Sequence, residues 1–256
     1  MITSAKNPKI QKIRGLFNNK KDRLLHNEYV LEGVRLLEEA RSARIQPTSV
    51  IFSDDLSERG HALLDFWHDA NVPLEKVLPD ILRAVAGTEH SQGILAEFKI
   101  PNTKLPAKWS LLLVLDQLRD PGNVGTLLRT AWAMNVDAVI LTPNSADLYN
   151  PKTLRAGMGA HFHLPVLSMD WQEISHLSNG KQLVLTDSAA EIPCWSIDFG
   201  QSTILAIGSE ADGLQKTAFE LPHKKCLIPM QSRTESLNAA TAGSILLYEI
   251  YRQRAQ

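Results

Sequence analysis

Three short polar stretches stand where apolar runs end, and each carries residue types able to hold or polarise a ligand. The first is DQLRDPGNVGTLLRTA (116–131), which follows LLLVL (111–115), turns at Pro121 and Gly122, and becomes helical near Asn123. Asn123 suits a helix N-cap, and Arg129 places a cation six residues further on. The second is IGSEADGL (207–214), where Gly208 and Gly213 permit close backbone approach or positive φ. Glu210 lies where that strand exits into a turn and can accept hydrogen bonds from a neighbouring loop. The third is IPMQSRTESLNAATAGSILLYE (228–249), in which a strand ends at Pro229 and Ser236, Leu237 and Asn238 open the final helix. Ser236 suits its N-cap, and polar groups at a helix start suit an anionic or carboxylate ligand.

None of the three is a familiar nucleotide loop. The dinucleotide pattern GxGxxG and the triphosphate pattern GxxxxGK[ST] are both absent from the first stretch. GMG at 157–159 invites a dinucleotide reading, but Phe162 stands where the third glycine belongs. His161 and His163 have a metal-ligand spacing, yet no further cysteine or carboxylate cluster completes a site, so no metal is expected and a structural or RNA-contacting role is favoured. The tryptophans are scattered, and no stacking platform is readable. Taken singly, each polar stretch would serve equally well as an ordinary turn or cap.

The elements around these stretches predict an α/β protein in two parts. KIPNTKLPAKW (99–109) has two prolines and no periodicity, which marks residues 101–108 as a linker between domains at 1–100 and 109–256. Beyond it, LLLVL, DAVILT (137–142), QLVLT (182–186), STILAIG (202–208) and CLIP (226–229) read as buried parallel strands. Helical patterns at 124–134, around 151–159 and at 237–254 alternate with them, so a parallel sheet is covered by helices and ligands bind at the carboxyl ends of its strands. Before the linker, EYVLEG, VRLLEEARS, SVIFS, RGHALLDFWHDA and GILAEFKI form a smaller α/β module.

Composition fits a water-soluble enzyme: 44% hydrophobic and 21% charged residues, with no run near the roughly 18 apolar residues of a membrane helix. Two cysteines, Cys194 and Cys226, lie far apart without CxxC spacing, which argues against a disulfide framework. The basic N-terminus lacks a secretory signal's apolar core, so a reducing, cytoplasmic setting is expected. Net charge is −1, but residues 1–25 hold seven basic residues against one acidic, a local charge of +6. Such an arm suggests phosphate binding as readily as a solvated helix face.

In their order and spacing, NVGTLLRTA, IGSEADGL and IPMQSRTESLNAATA resemble the SpoU (TrmH-like) family of RNA ribose 2'-O-methyltransferases of the SPOUT class. KTLRAGMGAHFHLPV (152–166) is similar to the family's intermediate segment. SAKNPKIQKIRGL, EYVLEGVRLLEEA and HSQGILAEF resemble the L30e-like substrate-binding domain of some members. The resemblance implies a C-terminal trefoil knot, a homodimer and S-adenosylmethionine as cofactor. It also implies catalytic roles for Asn123, Arg129, Glu210, Ser236 and Asn238, and cofactor contacts at Thr142, Gly208, Ile228 and Leu237. Arg129 is expected to bind RNA phosphate, with the other four orienting it, the cofactor loops and the ribose. Ribosomal RNA is the favoured substrate and transfer RNA the second; a non-catalytic RNA-binding homologue and a dehydrogenase are the competing readings.

Overall fold

A computed structural model describes residues 1–86, 92–231 and 236–255. The chain forms two compact units, one of residues 1–102 with 149–162, the other of 103–148 with the residues from 163 onward. Residues 149–162 thus pack with the first unit although they follow the linker. Among the described residues no helix is long and apolar enough to cross a membrane.

In the first unit, β1 (Glu28–Glu32), β4 (Ile94–Lys99), β2 (Ser49–Phe52) and β3 (Leu74–Lys76) lie side by side in that order. β4 runs antiparallel to both neighbours, and β2 and β3 are parallel. Alternation sends Tyr29, Leu31, Val50, Ile94 and Ala96 to one face, where α3 (Val34–Ser42) and α4 (Glu58–Asp69) bury Leu37, Leu63 and Trp67. Val30, Ile51 and Leu95 turn to the other face, covered by α1 (Pro8–Asn18) and α5 (Pro79–Ala86) through Ile10, Ile13, Leu16 and Leu82. The short α7 (Pro151–Gly157) adds Leu154 to the first cluster, and its Arg155 pairs with Glu32 at 3.4 Å.

The basic arm is therefore no free arm. Asn7 caps α1 and Asn19 caps α2 (Lys20–His26), each accepting a backbone N–H two residues on. Arg23 is buried and donates to the carbonyls of Leu16 and Phe17 at 2.6 and 3.2 Å, which the end of α1 would otherwise leave open. Lys12 bridges the buried carboxylates of Glu28 and Glu97 at 2.5 and 2.6 Å, and Lys9 pairs with Glu75 at 3.2 Å. Three of the seven basic residues are spent inside the unit. Lys6, Lys20 and Lys21 stay exposed, with no ion-pair partner among the described residues.

The second unit carries a six-stranded, all-parallel sheet, as the apolar runs predict. Its order is β10 (Lys224–Cys226), β8 (Gln182–Thr186), β9 (Thr203–Gly208), β5 (Leu111–Asp116), β6 (Ala138–Leu141) and β7 (Val166–Ser168). The central β5 is buried throughout. CLIP is strand only as far as Cys226; Leu227 keeps one isolated bridge to Pro193, and Pro229 has no N–H to extend a ladder. The helices are α6 (Pro121–Ala133), α8 (Trp171–Ser178) and α9 (Ala239–Arg254). α6 and α9 pack closely because Gly243 has no side chain: a Cβ there would stand 2.4 Å from Leu127 Cδ2 and 2.5 Å from Ile207 Cδ1. Thr130 and Ser244 share a hydrogen bond of 3.1 Å on the same seam.

Candidate active site

The three polar stretches meet at the carboxyl ends of β5 and β9 and the start of α9. Two caps differ from expectation. Asp120, not Asn123, caps α6: its carboxylate accepts the Asn123 N–H at 2.9 Å, and Pro121 takes the first helical position, where no N–H is needed. Asn238, not Ser236, caps α9, its amide oxygen accepting from the N–H groups of Ala240 and Thr241 at 3.0 and 3.2 Å. Both shifts follow from reach, since a short side chain caps only from directly before the first turn.

Because the Asn238 oxygen is committed to the helix, its NH2 must point outward, and it donates to the Asn123 amide oxygen at 3.0 Å. That in turn fixes the Asn123 NH2 as a donor, and it is hydrogen-bonded to the Glu210 carboxylate. Asn238 also approaches the same Glu210 oxygen at 3.5 Å. Three loops far apart in sequence are thereby locked in one geometry, with each amide orientation dictated by the next.

Beside this triad opens a cavity of ≈ 420 Å³, within the usual range for small-molecule sites. Thr186, Asp187 and Ser188 follow β8; Ile207 to Gly213 follow β9; Leu227, Ile228 and Met230 follow β10; Ser236, Leu237, Ala242 and Leu246 belong to α9 and its approach. Ser209 and Gly213 exchange N–H···O bonds of 3.0 Å, which folds the β9 loop into a tight hairpin with Glu210 in its turn. Ser236, Gly208, Ile228, Leu237 and Glu210 all line the cavity, as expected of a site built from strand ends. Residues 232–235 of the third stretch, and His90 and Ser91 of HSQGILAEF, lie outside the described residues.

Two expected site residues stand elsewhere. Thr142 does not line the cavity: its hydroxyl donates to Asp116 at 2.7 Å and accepts the Gln117 N–H at 2.9 Å. Asp116 is fully buried and also accepts from the backbone and side-chain amides of Gln215 at 2.7 and 2.6 Å. Thr142 is thus a brace among the ends of β5 and β6 and the segment after β9. Arg129 is exposed, and among the described residues no hydrogen bond or ion pair engages it. Six helical residues separate it from Asn123 by about 9 Å along the axis and about 240° around it, so within one chain the triad does not orient it. Thr186, Asp187 and Ser188 were not singled out in the sequence, although QLVLT followed by a polar pair at a strand end is the signal that finds them.

The described lining holds Asp187, Glu210 and Asp212 and no lysine or arginine. Such a cavity repels polyphosphates and suits a ligand with positive charge and an apolar body. Cys226 lines its floor, but burial, with Cys194 as a lesser cause, pushes its thiol up to about 12, so it is a neutral wall and no nucleophile near neutrality. Among the described residues no cluster of His, Cys, Asp or Glu could hold a metal ion.

Residues 110–248 match the family model of the SpoU rRNA methylases, and residues 7–96 match the MRM3-like substrate binding domain. The chain is 32% identical over 251 residues to the Bacillus subtilis 23S rRNA (guanosine(2553)-2'-O)-methyltransferase RlmP, covering 97% of this chain and 98% of that protein. It is 29% identical to a 23S rRNA (uridine(2479)-2'-O)-methyltransferase of Streptomyces viridochromogenes, covering 98% and 92%. The crystal structure of the SpoU methyltransferase AviRb from Streptomyces viridochromogenes in complex with AdoMet is similar at a TM-score of 0.87, with 28% identity over 98% of this chain and 99% of that one. With the three strand ends assembled as described and the family model covering more than half its length, the chain belongs to the SpoU rRNA methylase family.

Proposed function

We propose that the protein transfers the methyl group of S-adenosylmethionine to a ribose 2'-hydroxyl of structured RNA, with ribosomal RNA as its substrate. The observation that carries this reading is an acidic, lysine-free and arginine-free cavity beside the interlocked Asn123, Glu210 and Asn238. Gly208, Ile228 and Leu237 would hold the cofactor, and Asp187 and Glu210 would face its positive charge. When bound, it supplies an electrophilic methyl carbon. The chain must align a ribose oxygen with that carbon and stabilise the oxygen as its proton leaves.

Arg129 is the candidate for charge stabilisation. A guanidinium has a pKa above about 12 and is a poor base, but it binds phosphate and a developing oxyanion well. Since it does not reach the triad within one chain, RNA or a second copy must complete its surroundings. A homodimer fits: Thr241, Ile245 and Tyr248 form an outward stripe on α9, with Ile245 and Tyr248 at 41% and 59% exposure, beside a groove shared with Asn123 and Thr126. Ser236 would orient the ribose, and Asn123, Glu210 and Asn238 hold the loops. The SPOUT likeness supports a trefoil knot in the same domain, 109–256, with 101–108 as linker. Two buried free thiols suit a cytoplasmic setting.

Residues 1–100 would engage the RNA. Deleting residues 1–25 cannot test this cleanly, because Ile10, Ile13 and Leu16 are core. Replacing Lys6, Lys20 and Lys21 together with alanine is expected to lower the slope of log affinity against log salt by about 2–3 while leaving cofactor affinity intact. An unchanged slope would make these lysines a solvated face. For the whole reading, calorimetric titration of the purified protein should show saturable S-adenosylmethionine binding and none with NAD; absence of the former would sink it.

A further inference from the structure

The scattered tryptophans do not all lie in the core. Trp67 and Trp171 are buried at 1% and 6% exposure, whereas Trp132 keeps 41% of its surface open. It stacks flat on His163, which is also exposed, with ring centroids 4.4 Å apart and planes 2° from parallel. Val124, Leu127, Leu128 and Ala131 fix which side of α6 faces the core, and Asn123 and Thr130 face α9. Trp132 lies about 180° around the helix from Asn123, away from the α6–α9 seam and from the Ile245 and Tyr248 stripe. Its neighbour one turn earlier is Arg129, exposed and unengaged among the described residues; positions i and i+3 share a helix surface.

We infer that the Trp132–His163 stack is a platform for a nucleobase of the RNA strand whose phosphate Arg129 holds. This rests on the methyltransferase reading above and adds to it a residue pair that grips the base. An enzyme acting on ribose must hold the nucleotide by both its charged and its flat parts. A cation beside an open indole offers both, since phosphate pairs with guanidinium and any base can stack on the ring. His163 keeps the indole flat against the surface, so little side-chain freedom is lost when a base arrives. Such a platform tolerates many sequences, which leaves site selection to the RNA's shape and the first unit.

The test uses the full chain with two fluorescent probes: a short single-stranded RNA, and a ribose-phosphate chain of equal length without bases. Wild type is expected to favour the base-bearing probe by about tenfold or more, and Trp132→Ala to erase that preference while its weaker affinity for the abasic chain stays the same. Trp132→Phe should retain part of the preference, and His163→Ala, which leaves the indole in place, should weaken it. S-adenosylmethionine affinity, melting temperature and gel-filtration volume should not change in Trp132→Ala. Equal affinity of wild type for the two probes overturns the inference, as does a Trp132→Ala protein that methylates ribosomal RNA with unchanged KM. A shift in gel filtration on losing the indole overturns it too, by assigning the surface to contact between copies. If wild type transfers no methyl group to ribosomal RNA at all, it is the proposed function that fails.

Discussion

Replacing Arg129 with alanine is expected to lower methyl transfer by about a thousandfold or more while changing S-adenosylmethionine affinity less than about twofold. The separation follows from position. Arg129 stands on the solvent side of α6, outside the cavity lining and without a partner among the described residues, so its removal leaves the cavity walls untouched. What is lost is a fixed positive charge for RNA phosphate and for the oxygen that becomes negative in the transition state. Lysine at the same place should recover only part of the rate, because a point charge does not reproduce the planar fork. Single-turnover rates with saturating RNA, set beside calorimetric cofactor titrations, measure both halves. Near-normal turnover of the alanine variant would remove Arg129 from the mechanism.

Gly208→Ala is expected to have the opposite signature, with cofactor binding itself lost. A Cβ on Gly208 would stand 2.2 Å from the carbonyl carbon of Gly213, and 2.4 Å from its oxygen and from the Leu214 nitrogen. These are backbone atoms and cannot swing aside. The Ser209–Gly213 hairpin would have to move, taking Glu210 from Asn123 and reshaping the cavity wall. Overpacking of this kind costs about 1–3 kcal/mol or more in stability, visible as a lower melting temperature. The cofactor dissociation constant should rise by about a hundredfold or more. Gly213→Ala is the internal comparison: its φ is +67° but its Cβ would meet nothing within 4 Å, so only backbone strain of about 1 kcal/mol is expected. If Gly208→Ala binds cofactor as well as Gly213→Ala does, the close approach at Gly208 is not what shapes the cavity.

Much of this site was legible in the sequence because buried parallel strands announce themselves. LLLVL, DAVILT, QLVLT and STILAIG each became a strand of the six-stranded sheet, and the polar residues after them fell where ligands bind. The cap assignments slipped by a few residues, since Asn123 and Asp120, or Ser236 and Asn238, are all good caps and only the helix start chooses between them. Thr142 misled for a related reason: a polar residue at a strand end serves equally to face a ligand or to brace a buried carboxylate, and Asp116 claims it. The +6 of the first 25 residues could not reveal that Lys12 and Arg23 are occupied, because Glu28 and Glu97 and the carbonyls ending α1 meet them only in the folded unit. Residues 149–162 carry no composition break, and only packing, through Leu154, Tyr149 and Phe162, joins them to the first unit. The Trp132–His163 stack is the same kind of case, since its rings are far apart in sequence and neither has periodic neighbours.

The most direct test of the central claim is to incubate the purified protein with methyl-labelled S-adenosylmethionine and ribosomal RNA from cells lacking its gene, then digest the RNA and identify the labelled nucleosides by mass spectrometry. The label should appear as a single 2'-O-methyl nucleoside at one mapped position, and should vanish with Arg129→Ala. Label on a base, or no label in RNA under conditions where the cofactor binds, would contradict ribose methylation by this chain.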